Sequence, residues 1–72
     1  MNEITIFKFH GHFEGDLKRG DLSNSQDRFF AAKTNEEAWE KLEAYQAKMV
    51  ADGMQKFVPC GEPEVELDYV FI

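Results

Sequence analysis

Covalent reinforcement is missing from this chain. Cys60 is the single cysteine, so no internal disulfide can form. A small domain without a staple suits a reducing compartment, and a cytoplasmic location is expected. No apolar run approaches about 18 residues, which argues against a membrane-spanning helix. The opening Met1-Asn2-Glu3 lacks the basic start and apolar stretch of a secretory leader. Bases are also few: 8 Lys and Arg stand against 14 Asp and Glu, a net charge of -6. Nucleic-acid binding depends on neutralising phosphates, so direct contact with nucleic acid is not expected. An anionic membrane is disfavoured for the same reason. The sequence also lacks a Gly-rich phosphate loop, a Gly-x-Ser-x-Gly turn and a paired-Cys motif. These absences point away from an enzyme, and no cofactor is expected.

Aromatic residues are plentiful. Seven Phe, two Tyr and Trp39 occur in 72 residues. A domain this short buries only about 60% of its unfolded surface, so large side chains must carry its one core. The whole chain, 1–72, reads as a single domain.

Residues 4–14 alternate. Phe7, Phe9, Gly11 and Phe13 share one face, and Ile4, Ile6, Lys8, His10, His12 and Glu14 share the other. A period of two predicts a half-buried strand. Gly11 among aromatics suggests close approach of another element, with the helix as candidate. Residues 15–26 hold two Gly-Asp pairs and read as a loop, with Leu17 and Leu22 available to pin it down. Residues 27–33 read as a second strand. Phe29 and Phe30 are adjacent, so one of them must face outward.

Thr34-Asn35-Glu36-Glu37 is a capping box that opens a helix. Ala38, Leu42, Tyr45 and Met49 follow at helical spacing, with Trp39 and Val50 beside them. Gly53 suits a left-handed cap. Residues 54–59 read as a third strand ending at Pro59, and residues 60–63 as a turn. Residues 64–72 alternate again, with Val65, Leu67, Tyr69 and Phe71 inward. Glu64, Glu66, Asp68, Val70 and Ile72 face outward. The expected fold is α+β, ordered ββαββ: an antiparallel sheet with one helix packed on one face.

Parity and charge together predict that the first and last strands are antiparallel neighbours. Ile4 then stands opposite Val70, Lys8 opposite Glu66 and His10 opposite Glu64. The outward Ile4, Ile6, Val70, Ile72 and either Phe29 or Phe30 form an apolar patch, which suggests a homodimer or partner contact.

Three constellations could carry chemistry. His10, His12 and Glu14 lie on one strand face at steps of about 6.5 to 7 Å, a candidate set for a divalent metal. A metal-binding domain or metal-dependent enzyme using them is one alternative, although an isolated His-x-His lacks further ligands. Cys60 is a candidate nucleophile with His10 or His12 as base. The acids form two rows: Glu36, Glu40 and Glu43 on the helix, and Glu62, Glu64, Glu66 and Asp68 along the last strand. Each row could be an ordinary solvated face. Merged, they would imitate the regular negative charge of a nucleic acid.

The aromatic strand FKFHGHF, the capped helix TNEEAWEKLEAYQAKM and the acidic tail EPEVELDYVFI combine in a short acidic chain. In size, charge and single-domain economy it resembles small phage- and mobile-element-encoded inhibitors of the anti-CRISPR type. That class has no common sequence signature, so the resemblance carries over no functional residue. It implies a non-enzymatic module that binds a protein partner with a basic surface. The expected contacts are the two acidic rows with Phe29 and Phe30. A homodimeric structural protein is the remaining alternative.

Overall fold

The computed structural model describes the backbone of residues 3–71 and the side chains of residues 4–66. In chain order the elements are β1 (Glu3–Phe13), α1 (Glu14–Arg19), β2 (Gln26–Ala32), α2 (Asn35–Ala51), β3 (Phe57–Pro59) and β4 (Glu64–Phe71). The fold is α+β: four antiparallel strands with α2 on one face. Among the described residues, no helix is long and apolar enough to cross a membrane.

β1 is the spine. β2 pairs along one edge, from Thr5 opposite Ala32 to Gly11 opposite Gln26. The other edge is shared in series. β4 pairs with the first half of β1, and β3 with the last three residues. Residues 60–63 therefore do not close a hairpin. β3 and β4 run the same way along one edge, and the turn is an excursion between them.

The aromatic row of β1 is the floor of the core. Phe7 and Phe9 are buried with Ala32, Ala38, Leu42, Met49 and Phe57, while Phe13, Phe30, Trp39 and Tyr45 pack around them. Phe9 meets Trp39 and Phe30 edge-on, at 5.0 and 5.8 Å between centroids. Such pairs add to the burial energy of the rings.

Both ends of α2 follow local rules. Thr34 Oγ1 accepts from the Glu37 N–H at 3.1 Å, pairing one of the amides that a helix start leaves open. At the other end Gly53 adopts φ 77°. Its N–H reaches the Val50 carbonyl, and the Met54 N–H reaches that of Met49 at 2.8 Å. This double closure needs a left-handed residue, which glycine supplies without a steric penalty.

Several expectations need correction. The 15–26 loop begins with a helix, α1. Glu14 and Asp16 sit in its first turn and Lys18 and Arg19 in its last, matching the helix dipole. A Glu14–Lys18 ion pair at 3.2 Å spans one turn. Leu17 and Leu22 pin nothing, since both are exposed. The element close to Gly11 is β3, not the helix. A Cβ there would lie 2.1 Å from the Val58 carbonyl oxygen. β3 is shorter than the 54–59 expected, because Met54 is used in closing α2. Val50 is 58% exposed.

Val65 stands opposite the buried Phe7 yet is 51% exposed. α2 lies over the β2 side of the sheet and leaves this part of β4 uncovered. The molecule is accordingly drawn out, with extents of 45 × 25 × 16 Å. Its radius of gyration is 13.3 Å, against about 11 Å for a compact domain of this length. The expected orientations of Leu67, Asp68, Tyr69, Val70 and Phe71 fall on side chains outside the described set, and Ile72 lies outside the described residues.

Candidate functional site

The pairing of β1 with β4 places Ile4 opposite Val70, as parity and charge predict. The register then shifts twice, by one residue each time, so Lys8 lies opposite Glu64 rather than Glu66. Bulges of this kind insert a residue and re-aim the strand. Lys8 Nζ stands 3.5 Å from the Glu64 carboxylate and 3.6 Å from that of Glu66. Those two carboxylates, Glu66 foremost, raise the Lys8 pKa above the ordinary lysine value. One ammonium between two carboxylates leaves a net negative charge on this strip.

His10 does not meet Glu64. Its backbone carbonyl accepts from the Cys60 N–H at 2.7 Å, so the turn lies beside it instead. Its Nδ1 lies 2.7 Å from Asp27 Oδ1 on β2, directly across the ladder. Asp27 was legible in principle: it shares the parity of Phe29, and a β1–β2 pairing sets it opposite His10. His12 stacks edge-on beside His10, with centroids 6.0 Å apart. Glu14 leaves this row. It opens α1, where its carboxylate pairs with Lys18 and its N–H donates to the Lys56 carbonyl. The three candidate ligands are therefore not brought together, and no group of three or more potential ligands forms among the described residues. Cys60 is exposed, and among the described residues its sulfur has no hydrogen-bonding partner.

Phe29 and Phe30 separate as their adjacency requires. Phe29 lies across from Lys8 on the outer face and is 54% exposed. Phe30 turns to the helix and meets Tyr45 edge-on at 5.9 Å. Ile4 and Ile6 are half-buried. Arg28, on the helix side, donates to the Tyr45 hydroxyl at 2.9 Å. Its guanidinium also lies over the rings of Phe57, Phe13 and Tyr45 at 5.4 to 6.0 Å. That cation, half-buried, is held by contacts within the fold.

The acidic rows divide between two places. Glu36, Glu40 and Glu43 are exposed on α2, and among the described residues no cation pairs with them. Trp39 lies between Glu36 and Glu43 on the helix surface, three residues after one and four before the other. Its Nε1 donates to Glu62 Oε2 at 3.2 Å, which brings the turn carboxylate to the helix group. Sequence reasoning did not anticipate this link, because a contact across 23 positions leaves no local pattern. Glu64 and Glu66 belong to the opposite sheet face, with Lys8. Further along α2 a groove of about 490 Å³ opens beside Glu43, Ala47, Val50 and Lys56.

Comparison of the chain with protein-family models, with curated proteins and with solved structures returned no match.

Proposed function

We propose that this chain is a non-enzymatic protein-binding module that occupies a basic surface of its partner, in the manner of a phage-type inhibitor. The observation behind the reading is the group formed by Glu36, Glu40, Glu43 and Glu62. Four carboxylates share one region of the surface, and among the described residues none of them forms an ion pair. Folding does not require that arrangement, and mutual repulsion makes it unfavourable in the free chain. A cationic partner surface relieves it and is drawn in by the same field. The groove beside Val50 supplies apolar contact area next to the charges, as interfaces do. A partner surface of this charge is also one that holds nucleic acid, which makes competition with nucleic acid the expected mode of inhibition.

Affinity capture on the immobilised chain, read by mass spectrometry, tests the proposal. A triple variant, Glu36→Gln with Glu40→Gln and Glu43→Gln, serves as control. The native chain should retain proteins with basic nucleic-acid-binding surfaces, and the variant should lose them. Added chain should then release nucleic acid from the captured partner in a mobility-shift assay. Recovery of neutral or acidic partners alone, or equal recovery by the variant, would refute the reading.

A further inference from the structure

Three strands of this sheet have an edge turned away from β1, and two of those edges carry side-chain hydrogen bonds to their carbonyls. On β2, Arg28 Nη1 donates to the Asp27 carbonyl at 2.8 Å, and Lys41 Nζ donates to that of Ala31. On β3, Gln46 Nε2 donates to the Phe57 carbonyl at 2.8 Å. Side chains placed in this way blunt a strand edge against further pairing. β4 is different. Its strand partner is β1, and among the described residues no comparable side-chain bond covers positions 64–66. The half-exposed Val65 shows that α2 does not cover position 65 either.

The open edge carries a pattern. Glu64 and Glu66 both reach Lys8, so both stand on the outer face. Val65 lies between them on the face of Phe7. An incoming strand would meet an acidic row on one face and an apolar position on the other. A second copy of β4 fits poorly. In the two antiparallel registers that match faces and overlap seven of the eight residues, like charges meet: Glu66 stands opposite Asp68 in one, and Asp68 opposite its own copy in the other. Like charges placed directly across a ladder are destabilising.

We infer that β4 takes up an extended segment of a partner protein as an added strand. Lysine or arginine at alternate positions of that segment lies beside Glu64 and Glu66, with apolar side chains between them. The inference rests on the basic-partner reading above and names the element recognised. Main-chain hydrogen bonds along the edge supply affinity, and the alternating side chains supply selectivity.

Fluorescence anisotropy with a labelled peptide alternating lysine and valine tests it on the full chain. N-methylation of the edge-facing amides removes donors while keeping every charge, and should weaken binding by about tenfold or more. Glu64→Gln with Glu66→Gln should weaken binding by a similar factor. Equal affinity for the methylated and unmethylated peptides overturns strand addition, while capture by the helix face stands or falls on its own experiment. A dimer in sedimentation that excludes the peptide also overturns it, since the edge would then belong to a second copy.

Discussion

Gly11→Ala separates local preference from tertiary constraint. Within a strand, alanine is favoured over glycine by roughly 0.5 to 1 kcal/mol, because glycine loses more freedom on folding. The structure reverses that sign. A Cβ at position 11 would lie 2.1 Å from the Val58 carbonyl oxygen and 2.9 Å from both Phe57 Cζ and Pro59 Cα. An ordinary carbon–oxygen contact needs about 3.3 Å, so β3 would have to retreat by about 1 Å. It is not free to do so. The Lys56 carbonyl is tied to the Glu14 N–H at 2.9 Å, and the Cys60 N–H to the His10 carbonyl at 2.7 Å. Releasing β3 exposes Phe57, which is fully buried, and losing such a ring costs about 3 to 5 kcal/mol. Set against the local gain, the net loss is about 2 to 4 kcal/mol. The whole stability of a chain of 72 residues is only about 4 to 11 kcal/mol. Urea denaturation followed through Trp39 fluorescence measures the change. Hydrogen exchange should also show the Cys60 and Glu14 amides exchanging faster. A variant as stable as the native chain, or more so, would refute the close-approach argument.

Leu42→Ala should cost about 2 to 5 kcal/mol in the same assay, because Leu42 is fully buried between α2 and the sheet. Thr34→Ala should cost about 1 kcal/mol by leaving the Glu37 N–H unpaired, and Thr34→Ser should restore it. Asp21 accepts from the Ser23 hydroxyl at 2.6 Å and from its N–H at 3.0 Å, and these bonds hold its carboxyl below the ordinary pKa of 3.8. The contribution is complete above that ordinary value and is lost as pH falls through the lowered one. Carboxyl NMR should show Asp21 titrating below its ordinary value, and Ser23→Ala should move it back up.

Much of this fold is written locally. The alternation of Phe7, Phe9 and Phe13 specifies a strand with one buried face, because successive side chains must point opposite ways. Thr34 and Gly53 mark the ends of α2 through bonds to amides and carbonyls a few residues away, so a short window contains all the information. The split of Phe29 and Phe30 follows from adjacency alone. The helix α1 was legible too, in acids followed by bases and then Gly20, but the Gly-Asp pairs read more strongly as turns.

Tertiary structure decided the rest. Sequence parity placed Ile4 opposite Val70, but two register shifts moved Lys8 onto Glu64, and the alternation of residues does not announce such shifts. The partner of His10 came from β2 rather than β4, because β1 has two edges and alternation does not say which neighbour supplies a charge. Val65 reads as core by period, yet core requires something packed above it, and α2 lies over the other side of the sheet. The meeting of Glu62 with Trp39 likewise depends on chain segments far apart in sequence. Local pattern determines which way a side chain points; only the folded arrangement determines what it meets.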